Sequence, residues 1–130
     1  MDANQISTLP AFADLTEEDQ TRIAEAGDVV DVPAGVVLTA EGEFGYSFFI
    51  VEEGTAEVTE RGEPVAELGA GDFFGEIGLL VTGRRTASVT ATSPMRLFAL
   101  FEQDFRRLCA ECPAFERRVR EAMAGRLRPR

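Results

Sequence analysis

Residues Asp72–Val89 read DFFGEIGLLVTGRRTASV, and this stretch is the most informative part of the sequence for fold and function. Gly75 and Gly78 allow the backbone to approach a ligand closely or to take φ values that other residues avoid. One helical turn over Ile77–Leu80 would direct free N–H groups at an anion. The Arg84-Arg85 pair follows, and a guanidinium can hold a phosphate through two parallel hydrogen bonds. The stretch therefore predicts a phosphate-binding loop.

Glu76 indicates which kind of phosphate compound the loop would bind. A carboxylate beside a bound phosphate is repelled unless the ligand also offers it a donor, and a ribose hydroxyl is such a donor. A basic group for the phosphate and an acid for the sugar together indicate a nucleotide. The alternative for Glu76 is a buried acid paired with an arginine. The two interpretations agree if Glu76 pairs with Arg85 until a ligand arrives.

Two motifs resemble one known family. Phe74–Leu80 followed by Arg85–Val89 is similar to the phosphate-binding cassette of cyclic nucleotide-binding domains, above all those of hyperpolarisation-activated and bacterial cyclic-nucleotide-gated channels. Upstream, Glu41–Val51 and then Gly54 resemble a second signature of the same family. The resemblance extends from about Leu9 to Leu127, nearly the whole chain.

The residues predict a mainly β architecture with flanking helices. Thr16 can cap a helix that ends at Gly27, and helical spacing resumes at Phe101, with Pro113 starting a second helix. Between them lie short strands rich in Val, Phe and Ile, which favour a barrel or sandwich: 28–32, 36–39, 48–52, 56–60, 65–68, 87–90 and 97–100.

The resemblance implies the same layout: a jelly-roll-like β-roll with an N-terminal helix and two C-terminal helices. We therefore expect a single cyclic nucleotide-binding domain over residues 1–130. Its N-terminal helix is expected at about 16–27, its β-roll at about 28–100 and its C-terminal helices at about 101–127.

The resemblance also implies a ligand site, residue by residue. Arg85 would hold the phosphate and Glu76 the ribose 2′-OH, while Gly75, Ile77 and Gly78 would act through their backbone groups. A hydroxyl at the position of Thr86 can bond the phosphate and the amino group of guanine, so Thr86 leaves open whether the ligand is cyclic AMP or cyclic GMP.

The base would lie between an apolar wall and a helical lid. The wall positions are Val58, Ala66 and Leu68, and ordinary β-core packing is an equal alternative for Val58 and Ala66. Arg126, with Leu127 beside it, corresponds to the lid position at which channel relatives place an arginine over the purine. A guanidinium stacked on a ring is physically reasonable. Arg84 is expected to face solvent.

The resemblance implies a non-catalytic sensor of cyclic AMP, with cyclic GMP as the alternative ligand, and without metal or cofactor. One alternative is a dinucleotide-binding oxidoreductase, suggested by the glycines at 69, 71 and 75, but their spacing is wrong and no βαβ unit surrounds them. A second is a degenerate module that keeps the fold and binds proteins instead of nucleotide. Both Glu76 and Arg85 are present, which argues against that module.

The composition limits the kinds of partner that this chain is expected to bind. The net charge is −10, residues 1–83 hold 18 acids against two arginines, and residues 84–130 hold 11 arginines against five acids. This balance argues against nucleic-acid binding by this segment. No apolar run approaches a membrane span, so a cytoplasmic domain acting on an effector protein is expected, and a homodimer stays open. Cys109 and Cys112 are expected to be ordinary reduced thiols.

Overall fold

The computed structural model describes residues 1–40, 42, 47–75 and 87–126, with side chains described as far as Glu121. The helices in these ranges are α1 (Ala3–Ser7), α2 (Glu17–Ala26), α3 (Glu102–Glu111) and α4 (Pro113–Arg126). The strands are β1 (Asp28–Val32), β2 (Val37–Thr39), β3 (Ser47–Glu53), β4 (Ala56–Glu60), β5 (Glu63–Leu68), β6 (Phe73–Phe74), β7 (Ser88–Ala91) and β8 (Met95–Phe101).

The strands form two four-stranded sheets in which every pairing is antiparallel. One sheet has the order β1-β8-β3-β6 and the other the order β2-β7-β4-β5. The helices lie at the two ends of the sequence, outside the sheets. The predicted fold class, mainly β with flanking helices, is confirmed.

Helix α2 begins and ends where the sequence indicated. The Thr16 hydroxyl accepts a hydrogen bond from the N–H of Asp19 at 3.1 Å, and the acids of the first turn complement the helix dipole. At the other end a Cβ on Gly27 would lie 2.6 Å from the ring of Phe98. Glycine is therefore needed where the helix passes directly into β1.

The larger of two apolar cores lies between the first sheet and the helices, and we call it the helix-side core. Its centre is a cluster of five phenylalanine rings, whose neighbouring centroids are 5.1–6.0 Å apart: Phe12, Phe48, Phe73, Phe105 and Phe115. Four of them, all except Phe73, are fully buried. Since the rings come from the N-terminal segment, β3, β6, α3 and α4, the cluster joins distant parts of the sequence.

Helix α4 is attached to this core at two points. Phe115 and Val119 are fully buried, and the Phe115 ring lies 5.4 Å from that of Phe12. On the surface the Arg118 guanidinium pairs with the Asp14 carboxylate. The first half of α4 is therefore held against the segment that precedes α2.

The second core lies between the two sheets, and we call it the roll core. It consists of Val51, Ala56, Leu68, Phe74, Val89, Ala91, Met95 and Leu97, with partly buried apolar side chains packed around it. This is the core that carries the candidate site.

Three local features differ from the sequence prediction. Phe101 is not part of a helix: it ends β8 opposite Ser47, precedes α3 as its N-cap and is 55% exposed. The spacing of the phenylalanines was misleading because Phe101 is also the last apolar residue of an apolar strand. Two short elements, α1 and β6, were not predicted, since five and two residues give too little periodicity to detect.

Cys109 and Cys112 are free and buried. Burial raises the pKa of each thiol to about 11. At Cys112 a hydrogen bond with the Asp19 side chain adds to this effect. The described residues contain no group of three potential metal ligands, and none of their helices is long and apolar enough to cross a membrane.

Candidate functional site

The predicted phosphate-binding loop starts from a rigid base. The Asp72 carboxylate accepts a hydrogen bond from the N–H of Gly69 at 2.8 Å, and the Asp72 carbonyl accepts one from the N–H of Val51 at 2.8 Å. Gly71 donates its N–H to the Val51 carbonyl at 2.9 Å. The turn before β6 is therefore hydrogen-bonded to β3 through both the N–H and the carbonyl of Val51.

The backbone changes direction at Gly75. Phe74 stacks on Phe49 with ring centroids 5.0 Å apart, which fixes the residue just before the loop. Gly75 then has φ +97°, a left-handed value that favours glycine. The sequence prediction that Gly75 frees the backbone at this point agrees with this value.

The other end of the loop is fixed to the opposite sheet. The Thr39 hydroxyl donates to the Ala87 carbonyl at 3.4 Å, and β7 starts at Ser88 between β2 and β4. Since β6 belongs to the first sheet and β7 to the second, residues 76–86 connect the two sheets. A ligand held by this segment would lie at the junction of the sheets, beside the roll core.

The predicted wall residues lie on the roll-core side of the second sheet. Val58 is in register with Ala66 on β5 and with Val89 on β7, while Leu68 is in register with Ala56. Leu68 is buried and belongs to the roll core, and Val58 is partly buried against it.

Exposure within the first of these rows changes from one strand to the next. Val89 is 4% exposed, Val58 is partly buried and Ala66 is exposed. Ordinary core packing, the alternative for Ala66, is therefore wrong, while for Val58 it stays open. The row leads from the core to an open edge, where a small side chain leaves room beside Val58.

The remaining predicted ligand residues lie outside the described residues. These are Glu76, Ile77, Gly78, Arg85 and Thr86 of the loop and Leu127 after the last helix; Arg84, expected to face solvent, also lies outside them. Arg126 is the last residue of α4, and its side chain is not described. The structure thus places Leu68 in the roll core and Val58 against it, and Gly75 directly follows the core residue Phe74.

Asp72 and Phe49 support the site but were not singled out from the sequence. A signal for Asp72 was present, because an aspartate that ends a glycine-rich turn commonly accepts backbone hydrogen bonds. The contact of Phe49 with Phe74 depends on the pairing of β3 with β6, which the sequence does not reveal.

An open groove of about 460 Å³ runs beside α4. Its described lining consists of Pro113, Glu116, Arg117, Arg120 and Glu121, none of which was predicted to bind ligand. The Arg120 guanidinium is held by Glu116 at 3.0 and 3.1 Å. The groove is lined by side chains of both charges, whereas the predicted wall at the roll core is apolar.

Comparison with known proteins identifies the family of this architecture. The family model "Cyclic nucleotide-binding domain" matches residues 29–112, which include the base of the loop, the three predicted wall residues and the loop itself. The chain belongs to the cyclic nucleotide-binding domain family. The resemblance seen in the sequence is confirmed.

Relatives of this cyclic nucleotide-binding domain include kinase subunits and a channel. The chain is 38% identical to a cAMP-dependent protein kinase regulatory subunit of Yarrowia lipolytica over 79% of its length, and 34% identical to a cyclic nucleotide-gated potassium channel of Rhizobium etli over 93%. It spans only 28% and 34% of those two proteins.

A solved structure of similar fold is the catabolite activator protein of Thermus thermophilus. The TM-score is 0.81 at 29% identity, covering 91% of this cyclic nucleotide-binding domain and 58% of the other chain. The regulatory domain of Toxoplasma gondii protein kinase A, crystallised with cAMP, has a TM-score of 0.83 at 24% identity and supports the fold. The similar proteins thus include a kinase regulatory subunit, a potassium channel and an activator protein.

Proposed function

We propose that the chain is a non-catalytic cyclic nucleotide sensor that binds cyclic AMP through residues 75–86. Binding would place the phosphate in the loop between β6 and β7 and the base against the wall formed by Val58 and Leu68. The occupied site would then bring the end of α4 over the base. Cyclic GMP is the second ligand to be tested.

The observation that carries this proposal is the composition of the roll core. Phe74 just before the loop, Val89 just after it and the wall residue Leu68 belong to one apolar cluster, and Val58 packs on it. The loop therefore starts and ends beside the surface predicted to receive the base. Since the roll core consists of apolar side chains, the charges for a phosphate have to come from the loop.

The loop residues carry distinct roles in this proposal. Arg85 holds the phosphate, because a charge-assisted hydrogen bond contributes about 1.5–3 kcal/mol. Glu76 accepts from the ribose 2′-OH. Gly75, Ile77 and Gly78 contribute backbone groups, for which the positive φ of Gly75 provides the entry. Thr86 bonds the phosphate and offers a hydroxyl to guanine.

The preference for cyclic AMP rests on the relatives. The Yarrowia lipolytica protein and a Neurospora crassa protein that is 34% identical over 95% of this chain are both named as cAMP-dependent kinase regulatory subunits. Thr86 does not exclude cyclic GMP.

The lid role belongs to the end of α4. Phe115 and Val119 hold the first half of the helix in the helix-side core. Arg126 follows Val119 by seven residues, about 10 Å of helix. Closure over the base would therefore involve the two turns after Val119. Such a lid responds to ligand only if the closed state binds the nucleotide more tightly than the open state.

The effector would be another protein or domain. Relatives named as kinase regulatory subunits suggest a protein kinase, and the channel relative suggests a pore. A cytoplasmic location and a homodimer remain predictions from the sequence.

Titration calorimetry of the pure domain with cyclic AMP, cyclic GMP, 5′-AMP and 2′-deoxy cyclic AMP tests the proposal. We expect micromolar or tighter binding of a cyclic nucleotide, much weaker binding of 5′-AMP, and weakened binding of the 2′-deoxy analogue because Glu76 loses its donor. Equal binding of the 2′-deoxy analogue would contradict the role of Glu76. No heat and no thermal shift with any ligand would contradict the sensor function itself.

A further inference from the structure

The edges of the two sheets differ in how they are protected. Because exposed edge strands invite pairing with other chains, proteins blunt them by shortness, bulges, proline or charge. Here β6 has only two residues, β2 has an irregular register between Val37 and Thr39, and β5 contains Pro64 together with glutamates. Three of the four edges are therefore short, irregular or interrupted by proline, whereas β1 has only the two aspartates Asp28 and Asp31.

The fourth edge, β1, is long and regular. All five of its residues pair with β8 in one continuous register, from Asp28 opposite Ala99 to Val32 opposite Met95. Within the described part of the chain β8 is its only strand neighbour. Its outer backbone groups thus face away from the sheet.

Two exposed valines end the cross-strand rows that form the cores. Val29 continues the row of Phe98 and Ile50, which are fully buried in the helix-side core. Val30 continues the row of Leu97 and Val51 in the roll core. Val29 is nevertheless 48% exposed and Val30 38% exposed. An added strand would extend both cores at once.

The charges along the next row alternate in sign. Glu53 is opposite Arg96, and Arg96 is opposite Asp31, whose carboxylate accepts from the Arg96 guanidinium at 2.9 Å. Cross-strand pairs of opposite charge stabilise a sheet, and like charges destabilise it. The position beyond Asp31 therefore favours a basic residue, and the exposed Asp28 at the other end of β1 does so too.

We propose that the edge of β1 is a docking site for an extended strand of a partner protein, with two apolar residues flanked by basic ones. The apolar pair would cover Val29 and Val30, and the basic residues would lie opposite Asp28 and Asp31. Main-chain hydrogen bonds would supply affinity and the side-chain pattern specificity. The site is on a different sheet from the wall residues and serves recognition of a partner, separately from ligand binding.

A second copy of this chain fits the edge poorly. If the valines of two antiparallel β1 strands face each other, Asp28 of one copy lies opposite Asp31 of the other. A shift of one residue in either direction removes that repulsion but places an aspartate opposite a valine. The net charge of −10 also opposes self-association.

NMR titration of the isotope-labelled 130-residue chain with short peptides tests the proposal. The probe is the capped hexapeptide Thr-Arg-Val-Val-Arg-Thr, whose central pattern reads the same in both directions, and the control is Thr-Glu-Val-Val-Glu-Thr. We expect amide shifts concentrated at residues 28–32 with the basic peptide and about tenfold weaker binding of the acidic one. No shift at residues 28–32 with millimolar basic peptide would overturn the proposal.

Matched variants distinguish specific binding at the edge of β1 from nonspecific peptide binding. Val30→Thr keeps the β-branched shape and should weaken the basic peptide severalfold, whereas Val37→Thr at the edge of β2, where Val37 is 57% exposed, should not. Asp31→Lys should remove most of the preference between the two peptides, because Asp28 still favours the basic one while Lys at position 31 favours the acidic one. Equal loss in the two threonine variants, or concentration-dependent shifts of β1 without peptide, would contradict the proposal, the latter by showing a second copy at the edge.

Discussion

At the scale of single residues, the apolar composition of the roll core assigns charge recognition to the loop. Its described members are valines, alanines, leucines, a phenylalanine and a methionine. In the proposed site a phosphate bound beside them would be unpaired without Arg85, and an unpaired buried charge is strongly unfavourable.

Arg85→Ala should therefore remove nucleotide binding without unfolding the domain. Loss of a bidentate charge-assisted pair corresponds to about 3 kcal/mol or more, a factor of about 100 in Kd. Arg84→Ala is the matched control and should change Kd by less than about threefold, because that side chain is expected to face solvent. Calorimetry measures Kd and a thermal melt checks the fold. Unchanged affinity in Arg85→Ala would contradict the phosphate assignment.

Residue roles could be predicted only where chemistry and motif coincide. The positive φ of Gly75 and the strand positions of Val58 and Leu68 agree with the sequence, because a glycine turn and β alternation are local signals, while their roles toward a ligand stay predictions. Phe101 was placed in the wrong element, since one apolar residue fits both a strand end and a helix start. The support that Asp72 gives to the loop depends on contacts with β3, far away in the sequence.

At the scale of elements, the turn between β3 and β4 is tightly constrained. Gly54 has φ +95°, and a Cβ there would lie 2.4 Å from the Pro94 carbonyl oxygen and 2.9 Å from the Met95 Cα. Both neighbours are backbone atoms, so neither can move without displacing β8. The turn therefore depends on glycine for its conformation and for space.

Gly54→Ala should lower the free energy of unfolding by more than about 3 kcal/mol. Gly35→Ala is the control, because Gly35 has a similar φ of +90° with nothing within 4 Å of its Cβ position. That variant should cost about 1–2 kcal/mol through backbone conformation alone. Urea unfolding measures both values, and equal losses would show that the close approach to Pro94 is relieved by movement.

Strong elements were predictable and short ones were not. The candidate strand at 28–32 coincides with β1, and a helix suggested at about 16–27 is observed at Glu17–Ala26, because each has periodicity and a clear cap or turn. The pairing order of the strands could not be predicted in the same way. It brings residues far apart in sequence together, such as β1 with β8, and alternation alone does not specify a partner.

At the scale of the whole molecule, the composition gives an unusual alkaline titration. All 13 basic side chains are arginines, so Cys109, Cys112 and Tyr46 are the side chains that titrate between about pH 8.5 and 11. Burial raises the pKa of both thiols to about 11. The folded state therefore keeps its thiol protons at pH values where the unfolded chain has lost them.

Stability should consequently fall as pH rises from about 9 to 11. In that interval the unfolded chain binds fewer protons than the folded chain, so each thiol lowers the free energy of unfolding by up to about 1.4 kcal/mol per pH unit. Below pH 8 the contribution is constant. Urea unfolding at several pH values measures the slope, and replacing both cysteines by alanine should remove most of it. An unchanged slope in that double variant would contradict the assignment.

The cluster of five rings determines which piece of this protein can be studied alone. The family match covers residues 29–112, yet Phe12 and Phe115 lie outside that range. A fragment cut there would leave Phe48, Phe73 and Phe105 facing water with two of their ring neighbours missing. For expression, the unit that folds has to include the segment before α2 and at least the first half of α4, so a boundary drawn from sequence similarity would select an aggregation-prone fragment.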